Sequence, residues 1–341
     1  MALPDGLLDG AGGRGTGGDV LGVDGGATKT AAAVLRVADR HAYGALAGPS
    51  NSDAVGPAAA QKAVEEAIAG ALQAAELDGG QIEAAVLALA GTSTDRLRLE
   101  LMREFGFRSV YLVNDVVGAW AAGTAGRPGI AVVSGTGSHV FGVNDRKETW
   151  KCGGWGHILG DEGSGYWLGL HAMKAALAAR DGSGPPTSLL EAALEHYGLE
   201  RIELLPDLVY GKPLMKSEIA ALAARVADRA AAGDEIALQL FGHAARDLAR
   251  QTAGVMTWLG LGDVPFPVAT AGSVFRTGPL LLEPFHRAIS EIAPRADVRP
   301  PGLPAIAGPL VLALLSRGAW QADDEKWLSI TLDSLHVSMP K

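Results

Sequence analysis

Cys152-Gly153-Gly154-Trp155-Gly156-His157-Ile158-Leu159-Gly160-Asp161-Glu162-Gly163-Ser164 is the stretch on which the reading of this chain turns. Five of its thirteen residues are glycine, a density that weakens both an ordinary helix and a central strand. The backbone here is expected to fold tightly around something. The polar side chains between the glycines can then point at a small, hydroxyl-rich ligand. The competing reading is a turn that opens a helix from Glu162 to about Ala179, with Asp161 as its N-cap.

Two more glycine-rich turns lie upstream. Gly22-Val23-Asp24-Gly25-Gly26-Ala27-Thr28-Lys29-Thr30 follows an apolar pair and precedes the apolar run Ala31 to Val37, which reads as strand, tight turn, strand. Its backbone N–H groups can form an anion-binding concavity; Thr28 adds a hydroxyl, Lys29 a point charge, and Asp24 a carboxylate suited to a hydrated Mg²⁺. A Walker A loop is a different pattern, with Gly-Lys-Ser/Thr leading into a helix. Ser134-Gly135-Thr136-Gly137-Ser138 repeats the strand, turn, strand pattern after Ile130 to Val133. A plain hairpin is the alternative for each turn taken singly. Between them, Asn114-Asp115 ends the strand Ser109 to Val113 and precedes a helix from Val116 to Ala125. That is where ligands sit in α/β sheets, and also where an Asp caps a helix. Last, Ala271-Gly272-Ser273-Val274 follows a short apolar strand; it is a turn able to lie against a nucleoside, or a bland αβ loop.

In this order the turns resemble the superfamily of sugar kinases, actin and the heat-shock chaperone ATPases. Within it the chain resembles the N-acetylglucosamine kinase branch of the BadF/BadG/BcrA/BcrD group, over roughly residues 20 to 318. Ser50-Asn51 carries the likeness too. The resemblance implies an α/β fold of two actin-like (ribonuclease H-like) lobes with a central ATP/sugar cleft. It implies ATP and Mg²⁺ as cofactors and phosphoryl transfer to the 6-hydroxyl of N-acetylglucosamine. Asp115 becomes the catalytic base and Asp24 the residue that positions the metal through water. Gly25, Gly26, Thr28, Lys29, Gly135, Thr136, Gly137, Gly272 and Ser273 are then expected at the nucleotide. Asn51, Asp115, Thr136, Gly154, Trp155 and Asp161 are expected around the sugar.

One position departs from the animal relatives. Ser52-Asp53 follows Asn51 where they carry a bulky aromatic nearby. Asp53 could meet a free ammonium, making glucosamine the alternative substrate, or be a solvated loop carboxylate. Two other classes stay open: an activator ATPase with an iron–sulfur cluster shared across a dimer, and a non-catalytic sugar sensor. The cluster wants four thiolates, and this chain has one cysteine. The same count excludes the sugar-kinase group with a cysteine-rich zinc loop. His157 and His171 read as packed or solvent-facing histidines, because no Cys/His cluster surrounds them, and Cys152 reads as a small packing residue.

At 341 residues and 48% hydrophobic content, two core-bearing lobes are expected. A net charge of −9 without a basic cluster argues against nucleic acid or an anionic membrane surface. The resemblance implies a small amino sugar as partner, and a homodimer is compatible with it. The lone cysteine fits a cytoplasmic protein. Residues 1–18 are expected to be a mobile tail, 19–126 the first lobe, 127–318 a second lobe with helical insertions, and 319–341 a C-terminal tail.

Overall fold

The structure, a computed structural model, describes residues 3–8, 10, 18–91, 95–211, 214–262, 265–321, 324–333 and 337–338. The side chains of Asp53 and of residues 337–338 lie outside the described atoms. The chain forms two compact units. The first comprises Met1–Ala131, Val143–Thr149 and Pro300–Lys341; the second comprises Val132–Gly142 and Trp150–Arg299.

The first unit is built on a six-stranded sheet. Its strands are β1 (Val20–Gly25), β2 (Thr30–Arg36), β3 (His41–Ala47), β4 (Ala84–Leu89) and β5 (Val110–Asn114), with a short β11 (Val337–Ser338) beside β3. β1, β2 and β3 form an antiparallel meander, and β4 and β5 continue parallel to β1. Val20-Leu21-Gly22-Val23 is buried throughout, which requires cover on both faces of the sheet. The helix Pro57–Ala75 supplies one cover, with Ala60, Ala63, Val64, Ala67, Ile68, Ala71 and Leu72 recurring at helical spacing on its buried side. The helices Asp115–Thr124 and Ala307–Ser316 pack together against β1 and β4. A Cβ on Gly308 would collide with the Gly118 carbonyl, so only glycine lets these two helices approach so closely.

The helix Ala307–Ser316 lies within the 127–318 span expected for the second lobe, but it packs in the first unit. It is apolar on every side, and burial all round does not say which sheet a helix will cover. The two expected tails also differ. Leu7 is buried, and Lys147 Nζ donates to the Leu8 carbonyl at 3.0 Å, so the described residues near the N-terminus pack on the first unit. Trp320 Nε1 donates to the Ala125 carbonyl at 2.9 Å, Arg127 pairs with Glu325, and Leu328 is buried in a helix Asp324–Asp333. Both segments carry enough apolar surface to dock.

The second unit holds most of a five-stranded sheet. It consists of β6 (Gly129–Ser134), β7 (Ser138–Val143), β8 (Thr149–Gly153), β9 (Phe266–Ala271) and β10 (Ala296–Arg299), in the order β10-β9-β6-β7-β8. Helices Gly165–Asp181, Leu189–Tyr197, Ala223–Ala231, Glu235–Leu259 and Pro279–Ile292 pack on one another in this unit. The helical stretch that begins at Lys216 is not continuous. The structure interrupts it at Leu222, giving Lys216–Ala221 and Ala223–Ala231. Among the described residues no helix is long and apolar enough to cross a membrane.

Candidate active site

In the first unit, β1 delivers Asp24 and β5 leads into Asp115. The registers pair Asp24 with Ala88 and Ala88 with Val113, so both carboxylates stand at the C-terminal edge of parallel strands. The capping duty expected of Asp115 falls on Asn114, whose Oδ1 accepts the Val116 N–H at 3.3 Å. Asp115 is the first residue of the helix. Burial pushes the Asp24 carboxyl up to about 6, the negative charge of Asp115 pushes the same way, and Lys29 opposes both. A buried carboxylate raised in this way by a neighbouring one fits a nearby cation. No group of three or more metal-ligating side chains occurs among the described residues, so such a cation would take most of its ligands from elsewhere.

The hairpin between β1 and β2 is closed by Gly26 N–H donating to the Lys29 carbonyl at 3.1 Å, with Thr28 and Lys29 exposed at its tip. The Gly26 carbonyl accepts from both Ser50 and Asn51 N–H groups, which docks the Asn51 loop on this turn. The Ser50 hydroxyl is buried beside Gly25 and finds no hydrogen-bond partner among the described residues. An orphaned hydroxyl at this point is consistent with a polar ligand.

In the second unit, three segments separated in sequence come together. Ser134 Oγ donates to the Gly163 carbonyl at 2.7 Å and Ser138 Oγ to that of Glu162 at 2.7 Å. Gly165 N–H donates to the Gly135 carbonyl at 2.8 Å, and Val274 N–H to that of Ser134 at 2.9 Å. Gly272 has φ +100°, and a Cβ there would strike the Ser134 carbonyl. The turn itself is tight: Gly135 N–H donates to the Gly137 carbonyl at 2.9 Å.

Asp161 organises this cluster. It is 2% exposed and has φ +63°, an uncommon conformation for a side-chain-bearing residue. Its Oδ1 accepts the Ser138 N–H at 3.0 Å, and its Oδ2 pairs with Lys216 Nζ at 2.6 Å. The N-cap role expected of it belongs to Ser164, whose Oγ accepts the Trp167 N–H at 3.1 Å. Lys216 was not singled out from the sequence. A lysine at the start of a short helix gives no signal there beyond that of a solvated charge.

Gly153 and Gly154 both have positive φ, and Gly154 N–H donates to the Ser138 carbonyl at 3.1 Å. Trp155 follows, 68% exposed, with Lys151 Nζ 5.5 Å from its ring centroid. Cys152 and His171 are half-buried, and His157 is exposed. Cys152 Sγ faces Gly254, and burial pushes its thiol up. His157 meets Tyr166 edge-on at 5.1 Å, while His171 stacks on Trp167 at 3.9 Å.

Each unit thus carries a glycine-rich strand–turn–strand. The pair defines an α/β protein of the actin-like, ribonuclease H-like class. Its relatives narrow the class. The chain is 30% identical to an N-acetylmuramic acid/N-acetylglucosamine kinase of Clostridium acetobutylicum, over 82% of this chain and 92% of the relative. It is 30% identical to an N-acetyl-D-glucosamine kinase of Dictyostelium discoideum, over 87% of this chain and 98% of the relative. A solved structure from Chromobacterium violaceum, described as a candidate N-acetylglucosamine kinase, shares the fold. Its TM-score is 0.67 at 24% identity, covering 87% of this chain and 99% of that one. The model of the BadF/BadG/BcrA/BcrD ATPase family matches residues 21–309, and the chain belongs to that family.

Proposed function

We propose that this chain is an ATP-dependent amino-sugar kinase that transfers the γ-phosphoryl group to the 6-hydroxyl of N-acetylglucosamine. The observation that carries the reading is Asp115, a carboxylate at a strand end on the same sheet edge as Asp24, in a chain similar along most of its length to two kinases of acetylated amino sugars. Phosphoryl transfer asks little covalent work of a protein; alignment and charge screening are its main needs. Asp115 accepts the proton of the attacking hydroxyl as the P–O bond forms, a contribution of about 10² to 10⁴-fold. Asn51, Thr136, Gly154 and Trp155 are assigned to the sugar. The tips of the two turns, with Thr28, Lys29, Gly135 and Gly137, are assigned to the phosphates, and Gly272-Ser273 to the nucleoside side.

Mg²⁺ fits the donor set. Asp24 is assigned to hold it through water, with phosphate oxygens completing the shell. Bound there, the ion would screen phosphate charge. The activator-ATPase reading has no support in the thiols: two copies of this chain supply two, where a cubane cluster takes four.

The test is an ATP-coupled screen of N-acetylglucosamine, glucosamine, N-acetylmannosamine, N-acetylmuramic acid and glucose, with sugar-free hydrolysis as control. The expected result is the highest kcat/KM on N-acetylglucosamine. A higher value on glucosamine would transfer the assignment to the free amino sugar. ATP hydrolysis indifferent to every sugar would end the kinase reading.

A further inference from the structure

We infer that Lys216 is the counter-charge that makes the Ser134–Ser138 turn able to accept a phosphate anion, and that the Asp161 carboxylate is the charge it offsets. This rests on reading that turn as a nucleotide-phosphate site.

The difficulty for such a turn is Asp161. Its buried carboxylate engages the Ser138 N–H at 3.0 Å. One donor that an anion would use is therefore occupied, and a formal negative charge sits at the base of the turn. The Gly135 N–H is also occupied, by the Gly137 carbonyl. A turn in this state repels phosphate unless the charge is offset at close range.

Lys216 offsets it. Its Nζ lies 2.6 Å from Asp161 Oδ2. The place of the pair is fixed by Gly137, where a Cβ would lie 2.7 Å from both Asp161 Oδ1 and Lys216 Nζ. The cation is therefore at the turn itself. The Lys216 side chain keeps 32% of its exposure against 3% for Asp161, so the solvent-facing member of the pair is the ammonium. An ammonium has three N–H donors, and one carboxylate oxygen does not exhaust them. The helix Lys216–Ala221 that carries it packs on the helix Gly165–Asp181, and its start is fixed by Glu218 Oε2 accepting the Met215 N–H at 2.7 Å.

The experiment measures binding of Mg·ATP, adenosine and N-acetylglucosamine by calorimetry to the full-length wild type, Lys216→Met, Lys216→Arg, Asp161→Asn and the double variant Asp161→Asn/Lys216→Met. Circular dichroism verifies folding. Lys216→Met is expected to weaken Mg·ATP by about tenfold or more while leaving adenosine and sugar affinity in place. Lys216→Arg should keep most of the affinity. The double variant should recover much of what Lys216→Met loses, because it removes the carboxylate with the ammonium. Asp161→Asn alone, if folded, should bind Mg·ATP at least as well as the wild type. The inference is overturned if Lys216→Met binds Mg·ATP normally, if its loss falls on the sugar, if the double variant is as weak as the single, or if folded Asp161→Asn is weakened. A wild type that fails to bind Mg·ATP brings down the phosphate-site reading, and the inference with it.

Discussion

Asp24 is held near a pKa of about 6 by burial and by the charge of Asp115, two strands away along the same sheet edge. In the ligand-free protein this arrangement costs stability. A folded pKa above the unfolded value near 3.8 means that the folded state binds the proton more tightly, so the ionised form is the strained one.

Asp24→Asn is therefore expected to raise the stability of the metal-free protein at pH 7.5 by about 1–3 kcal/mol. The gain should fade as pH falls through 6 toward 4, where the wild-type carboxyl is itself protonated. Thermal melts in EDTA at several pH values measure this. The same variant should use Mg·ATP poorly. A variant no more stable than the wild type at pH 7.5 would refute the electrostatic account.

Asp115→Asn should lower kcat by at least about 10²-fold while nucleotide affinity stays within about twofold. The amide keeps the shape of the side chain and loses the base. Near-normal turnover in a folded variant would remove Asp115 from the chemistry.

Gly272→Ala should destabilise the second unit by about 3 kcal/mol or more, because its φ of +100° and the Ser134 carbonyl both exclude a Cβ. Nucleotide affinity should fall with it. Denaturant melts with a parallel calorimetric titration check both. A variant with normal stability would mean that β6 and the 272–274 loop are not in register as described.

Asp234→Ala probes the scaffold rather than the site. Asp234 caps the helix Glu235–Leu259 through Ala237 N–H at 2.9 Å and also takes the Ser188 N–H at 2.6 Å. Burial pushes its carboxyl up, but these bonds and those from the Thr187 and Ser188 hydroxyls outweigh it, and the net shift is downward. Its stabilisation is thus present above the unfolded pKa and lost as pH falls through the folded one. The variant should lose about 1–2 kcal/mol at neutral pH, and the difference should shrink below about pH 4. Equal urea midpoints at pH 7 would contradict this.

Much of the fold was legible because its signals are local. Val20 to Val23 and Ala84 to Leu89 are uninterrupted apolar runs, and Ala60 to Ala75 keeps a helical repeat. Caps were less legible: Asn114 and Asp115 are neighbours of nearly equal capping strength, as are Asp161 and Ser164 nearby, and geometry alone chose between them. The strands β10 and β11 are too short to show a period. The glycine turns were readable as turns. Their mutual contact in the second unit was not, since no pattern in 134–138 names its partners at 161–165 and 272–274. Lys216 became visible only through the carboxylate it meets. The Asp53 side chain, read as a possible discriminator of amino sugars, lies outside the described atoms.

The helix Ala307–Ser316 has a consequence for biosynthesis. It roofs β1, with Leu310 so close to Gly22 that a Cβ there would lie 2.9 Å from it. On the ribosome, strands β1 to β5 emerge long before their roof is translated. The first unit therefore lacks the larger part of its cover over β1 while the entire second unit is made. Chains arrested before residue 300 should expose β1 to protease and bind chaperones, and extension past residue 316 should end both. Completion of the earliest part of this protein is timed by its latest.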